Sequence, residues 1–283
     1  MATKNFAVPI KLFYCRTQNF GDALNTLIFE RVLGVPVRYA KKRWAELCGI
    51  GSLLDALIRT PSIASLLTRT CRPPIHVFSS GFMFPLPSLR VRPLRTMVVH
   101  AVRGRQTYQQ LVDLGVVTPE QVVAYGDAGL FAPLLLERTV SKRYFCGIIP
   151  HIVERNCAEI EVLSSTIPNS TVIDFGAPPL SVLERMASCE MIVSSAMHGL
   201  IVADALGIPN IWMEVSDRIS GGRHKFNDYY SAYVNYKKKP VAVYNVAQSL
   251  TYGSCPSTTE CETLQRGLRQ AFLGCLNTMD TSH

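Results

Sequence analysis

No two cysteines in the chain form a CxxC pair. The nine that exist are scattered at positions 15, 48, 71, 146, 157, 189, 255, 261 and 275. An odd number spread this way is not a disulfide framework, and the thiols are read as reduced. Cys15, Cys146, Cys189 and Cys275 stand inside apolar segments, where a thiol packs as a small hydrophobe. Nor does any His, Cys or Asp group show metal-ligand spacing along the chain, so no metal is expected. Long apolar runs are missing too, each being broken by charge or histidine, which excludes a transmembrane helix. The opening MATKNFAVPIKLFYC has no apolar core leading to a small-residue cleavage site, so a cytoplasmic location is expected. Nothing resembles a nucleic-acid module, and no nucleic-acid partner is expected. Acidic residues are scarce in the first half. Residues 1–145 carry 19 Lys/Arg against 8 Asp/Glu, a net +11, while residues 146–283 carry 10 against 13, a net −3. A basic first half suits phosphate groups or the anionic inner face of a membrane.

What is present is enough for large cores. Apolar residues make up 48% of 283 residues, which excludes disorder and accommodates two α/β units of about 140 residues. Residues 7–15 read as a strand, and ALNTLIFERVLG as an amphipathic helix stopped by Gly34. IHVFSSG, TMVVHAV and VVAYGD follow as strands, with RQTYQQLVDLG a helix before the last of them. The charged stretch 134–143 marks a boundary, giving units 1–140 and 141–283. The second series runs YFCGIIPH, a helix over 153–165, TVIDFG, a helix opened by Pro178 and Pro179, EMIVSS and NIWM. Leu264, Leu268, Phe272 and Leu276 align on a final helix that is free to pack back on the first unit. Leu53 to Arg72 mixes Leu and Ile with Arg59, Arg69 and Arg72, a pattern suited to a membrane surface or to an ordinary core helix.

The candidate site residues fall at strand-to-helix turns, where an α/β protein holds anionic ligands. His198 and Gly199 lie between EMIVSS and GLIVADALGIP. Asn19, Gly21 and Asp22 follow the first strand, where Asp22 either caps the helix or faces the site. Arg103 and Arg105 follow TMVVHAV, and each guanidinium presents a planar fork for phosphate or carboxylate. Asp127 follows VVAYG and either caps the next turn or lines the cleft. Arg218, Arg223, His224 and Lys225 flank a flexible Ser220–Gly221–Gly222 stretch. His76, His100 and His151 also stand near strand ends, without a pattern that assigns them.

Taken in order, NFGDALN (19–25), VHAVRGRQT (99–107), YGD (125–127), DFG (174–176) and SSAMHGLIVADALGIP (194–209) resemble the polysaccharide pyruvyl transferase family. The similarity spans about residues 12–235, and HKFNDYYSA is most similar to the branch with the succinoglycan ketolase-type enzymes. The resemblance implies two Rossmann-like domains facing a cleft, as in GT-B glycosyltransferases. It implies transfer of the enolpyruvyl group of phosphoenolpyruvate to a sugar of a surface polysaccharide or its lipid-linked precursor, with no cofactor. By position, Arg103 matches a donor-contacting arginine, His198 the histidine of an R-x-H motif, and Asp22 an acceptor-activating base. On the donor side Arg105, Gly199, Arg218, Arg223 and Lys225 join Arg103 and His198; Asn19, Gly21 and Asp127 join Asp22 on the acceptor side. The R-x-H arginine is replaced here by Ala196, so another cation must meet the donor, and the 218–225 loop is the first choice.

That chemistry needs one acid, one base and clustered positive charge. Asp22 is expected as base, a protonated His198 as acid or phosphate partner, and Arg103 as an electrostatic clamp. Two other readings stand beside it. One is a nucleotide-sugar-dependent GT-B glycosyltransferase, for which no nucleotide-sugar signature is present. The other is a non-catalytic glycan-binding or scaffold protein. Oligomeric state is not legible.

Overall fold

Two five-stranded parallel sheets organise the chain, in a computed structural model that describes residues 8–59, 73–87 and 91–280. The first is built from β1 (Ile10–Phe13), β2 (Val37–Tyr39), β3 (Leu47–Cys48), β5 (Ile75–Val77) and β7 (Met97–Val99), in the order β2-β1-β3-β5-β7. A short antiparallel pair, β4 (Ile58–Arg59) and β6 (Arg92–Pro93), lies outside it. A parallel pair, β8 (Ala101–Val102) and β9 (Ala124–Tyr125), follows. The second sheet is β11-β10-β12-β13-β14, from β10 (Tyr144–Ile149), β11 (Ser170–Val172), β12 (Cys189–Ser194), β13 (Asn210–Glu214) and β14 (Val241–Ala242). In each sheet the chain runs to one flank and then returns to the other, so the strand order reverses beside β1 and again beside β10. Loops diverge at those two points and leave crevices at the carboxyl ends of the strands.

Eight α-helices connect the strands among the described residues: α1 (Phe20–Leu27), α2 (Arg105–Asp113), α3 (Ala158–Thr166), α4 (Pro179–Ala187), α5 (Met197–Ala205), α6 (His224–Tyr230), α7 (Val243–Val246) and α8 (Thr258–Asp280). The helix expected from Ala23 starts three residues earlier, because the Asn19 side-chain oxygen accepts the Gly21 N–H at 2.9 Å and caps it. Its last turn widens to π geometry over Ile28–Val32, and Gly34 ends it at φ 71°. The helix expected over 153–165 begins only at Ala158, since Glu154 turns inward to take two hydroxyls.

One apolar cluster includes Leu12, Phe20 and Leu24 beside the first sheet, Ile149, Leu183 and Val202 beside the second, and Leu268 and Phe272 of α8. The Phe272 ring sits 5.5 Å from Phe29 and 5.0 Å from Phe78. The two sheets therefore share buried surface, which fixes the carboxyl ends of their strands relative to one another. Among the described residues no helix is long and apolar enough to cross a membrane. Most of the basic Leu53–Arg72 stretch, residues 60–72, lies outside the described residues.

Candidate functional site

His198 stands at a contact between the two sheet units. It occupies the first turn of α5, after β12, and its ring rests on the backbone of Gly21 in the first turn of α1. A Cβ at position 21 would lie 2.0 Å from His198 Nδ1, so only glycine admits the ring there. Gly199 has a different task. A Cβ on it would lie 2.3 Å from Ser194 Oγ, and glycine lets α5 start tight against β12.

Two carboxylates flank the imidazole. Asp127 is fully buried, and its Oδ1 accepts the Gly129 N–H at 2.8 Å, so it does cap the turn. Its Oδ2 has no hydrogen-bond partner among the described residues and stands 3.8 Å from His198 Nε2, itself buried and unpartnered. Of the two roles left open by the sequence, the structure shows the cap, with the second carboxylate oxygen turned to His198. Asp22 is released from capping by Asn19 and accepts instead from the Thr17 hydroxyl. It borders a cavity of about 360 Å³ lined by Tyr14, Arg16, Thr17 and Gln18 among others. Burial raises both carboxyl pKa values, and the nearby His198 works against the rise. Burial lowers His198 against the opposing pull of Asp127 and Asp22. With no ligand bound the imidazole thus tends to its neutral form, in contrast to the protonated ring expected from the chemistry.

The cation brought towards this histidine is Lys225. It is buried, and no carboxylate lies within ion-pair distance of its ammonium among the described residues. Burial, with help from Arg103, holds it down to about 8, while Glu154 works the other way. Lys225 is among the charges that lower His198 and His151, and His151 falls to about 4 chiefly through burial. The loops after β10, β12 and β13 converge on Glu154. The buried Glu154 accepts the Ser195 and Ser216 hydroxyls, both at 2.6 Å, and Ser195 Oγ accepts the His151 N–H at 2.8 Å.

The other arginines are differently placed. The Arg103 guanidinium is fully buried and pairs with Asp228 at 2.8 Å, with Ser52 Oγ and the Phe82 carbonyl at 2.5 Å each. It acts on the site as a fixed positive charge behind His198 and Lys225 rather than as an exposed fork. Arg105 stacks over Tyr125 at 4.6 Å from the ring centre. Arg223 is held bidentately by Glu214 at 2.8 and 2.6 Å, and Arg218 reaches Cys157 and Ser216. Of the 218–225 loop, Lys225 alone is drawn inward among its basic side chains other than His224. The His224 Nε2 is buried without a hydrogen-bond partner among the described residues, with Asp228, Arg103 and Asp55 as its charged neighbours.

Sequence reasoning did not find Glu154, Ser195, Ser216 or Asp228. Glu154 and Ser195 do stand a few residues past apolar strand runs, which was the available signal. Asp228 lies within the HKFNDYYSA block that carries part of the resemblance, but its aromatic helix pattern gave no sign of a buried ion pair.

An α/β protein with an imidazole, two carboxylates and a buried lysine near the carboxyl ends of two parallel sheets has the side chains that acid–base chemistry requires. The chain belongs to the polysaccharide pyruvyl transferase family, whose profile matches residues 51–217, a stretch that includes Arg103, Asp127 and His198. It is 28% identical over 253 residues to the succinoglycan biosynthesis protein ExoV of Rhizobium meliloti (strain 1021), covering 87% of this chain and 72% of that protein. It is 27% identical over 182 residues to the uncharacterized protein L143 of Acanthamoeba polyphaga mimivirus. That match covers 62% of this chain and 63% of the viral protein, so the matched part spans less than two thirds of the relative.

Proposed function

We propose that this protein moves the enolpyruvyl group of phosphoenolpyruvate onto a sugar of a surface polysaccharide or its lipid-linked precursor, forming a pyruvate ketal. The observation that carries the reading is the His198–Asp127–Asp22 constellation, with Lys225 beside it, at the crevices of two parallel sheets. We read those sheets as two Rossmann-like units facing a cleft in the GT-B manner. The first, residues 1–140, is the acceptor side, and the second, residues 141–283, the donor side. On this reading the basic first half faces an anionic membrane surface.

The donor brings a phosphate and a carboxylate next to His198 and Lys225. Their charge raises the pKa of the imidazole and favours the imidazolium. The imidazolium gives its proton to C3 of the enol, leaving an oxocarbenium-like centre at C2. A sugar hydroxyl adds to C2 and passes its proton to Asp22. Phosphate then leaves with its bridging oxygen, taking up the proton held by Asp22, and a second hydroxyl closes the ketal and returns its proton to His198. Asp127 holds the imidazole from its far side, and Lys225 with Arg103 behind it offsets the donor charge. Lys225 thereby takes the place of the arginine absent at Ala196.

Purified protein given phosphoenolpyruvate and a bacterial lipid-linked oligosaccharide pool should release phosphate and leave a pyruvate ketal detectable by mass. If nucleotide sugars alone raised the unfolding midpoint, the glycosyltransferase reading would replace this one. Two further outcomes are expected. Gly21→Ala pushes the imidazole aside, and a displacement near 1 Å costs about 10²-fold in kcat/KM; wild-type rates in that variant would show that the ring contact is irrelevant. Lys225 is protonated below about pH 8, so its own contribution to donor affinity should be level below that pH. Above it, affinity should fall by up to about tenfold per pH unit until the pKa of the bound form is reached. Lys225→Arg should abolish that fall, as read by isothermal titration with phosphoenolpyruvate.

A further inference from the structure

We propose that His76, His100 and Cys275 form a structural zinc site that fastens the last helix to the first sheet. His76 lies on β5, His100 directly after β7, and Cys275 on α8, so three segments far apart in sequence meet at one point. One ligand atom from each residue lies within 4.8 Å of the others. His76 Nδ1 and His100 Nε2 are 2.9 Å apart. Two nitrogens bound to tetrahedral zinc at about 2.0–2.1 Å stand about 3.3 Å apart, so the ion requires an opening of only a few tenths of an ångström. The rings are stacked, with centres 5.1 Å apart and planes 9° from parallel.

The surroundings suit a soft-to-borderline cation. His76 and Cys275 are buried, and the neighbouring residues of α8 are Phe272, Leu276 and Met279 in an apolar cluster. The thiol's one hydrogen-bond contact among the described residues is the weak acceptor Met279 Sδ at 3.8 Å. Of the charges near His76, Glu46 and Arg95 are opposite in sign. Two imidazoles and a thiolate are a donor set for zinc, with one position left for a fourth ligand. On binding, the thiol proton is released to solvent, and whichever imidazole donates in the His76 Nδ1–His100 Nε2 contact shifts its proton to its other ring nitrogen, so that both ligating nitrogens present a lone pair. The terminal helix then gains a direct tether to β5 and to the end of β7. This site is separate from the proposed chemistry, so its test does not depend on activity.

The test titrates full-length protein with Co²⁺ and Zn²⁺ after chelator treatment. One equivalent of Co²⁺ should bind with a thiolate-to-cobalt charge-transfer band and tetrahedral d–d bands, and Zn²⁺ should displace it. Zn²⁺ in hundredfold excess over its Kd should raise the thermal midpoint by at least about 5 °C. Cys275→Ser should lose the charge-transfer band, and His100→Gln should weaken binding at least tenfold. Absence of a thiolate–cobalt band in the wild-type protein overturns the proposal whether or not the variants fold. Equal binding by wild type and both variants overturns it as well, since the metal then sits elsewhere.

Discussion

His198→Ala should lower kcat/KM for phosphoenolpyruvate-dependent phosphate release by about 10²–10⁴-fold, the range for loss of a positioned acid–base group. The ring is only 12% exposed, yet its Nε2 has no hydrogen-bond partner among the described residues and its nearest charged neighbour is Asp127 at 3.8 Å. Little folding energy is invested in that nitrogen, so the unfolding midpoint in urea should move far less than the rate. His198→Gln keeps a polar side chain but has no titrating group, and it should remain as slow as the alanine variant. A glutamine variant with near-wild-type turnover would remove proton transfer from the role of His198. Equal losses of rate and of folding stability would make it a packing residue.

Asp228→Ala should destabilise the fold by about 3–5 kcal/mol, the cost of leaving a buried charge without its partner. Both members of the Arg103–Asp228 pair are fully buried. The carboxylate also accepts the Thr107 N–H at 2.8 Å and its hydroxyl at 2.7 Å. A Cβ on Gly104 would lie 1.7 Å from the Asp228 carbonyl oxygen, so α6 presses directly on the turn that carries Arg103. Arg103→Ala should be destabilising too, and the double variant should cost clearly less than the two single losses added. Urea unfolding of the three variants measures this. If Arg103→Ala raised KM for phosphoenolpyruvate while leaving the urea midpoint unchanged, the arginine would be a direct donor contact, as the family resemblance implies, and the buried pair would not hold the fold.

The strands and turns were legible because their signals are local. Apolar runs such as MIV and GII mark buried parallel strands, and the residues after them fall at the carboxyl ends whatever the partner strand is. His198, Gly21, Asp22 and Asp127 were accessible by this route. Short strands such as Leu47–Cys48 and Val241–Ala242 were not, since two residues carry no period. The start of α1 was misplaced because Asn19 and Asp22 are both good caps in sequence, and the backbone chose Asn19.

The fates of the cations were illegible for a different reason. Arg103 read as an open guanidinium fork and Arg223 as a loop cation for the donor, but their partners Asp228 and Glu214 are 125 and 9 positions away. Whether an arginine is free depends on those distant carboxylates. The same holds for His76, His100 and Cys275, which show no ligand spacing along the chain.

The sequence by itself therefore determined the β-α alternation, the family, and the turns at which an imidazole and two carboxylates stand. Tertiary structure alone decided that Gly21 must lack a side chain to receive His198, that Arg103 is buried in an ion pair with Asp228, and that Lys225 turns inward. The physical reason is range. Strand and turn propensities act over a few residues, whereas burial and charge pairing depend on which distant segments the folded core brings together.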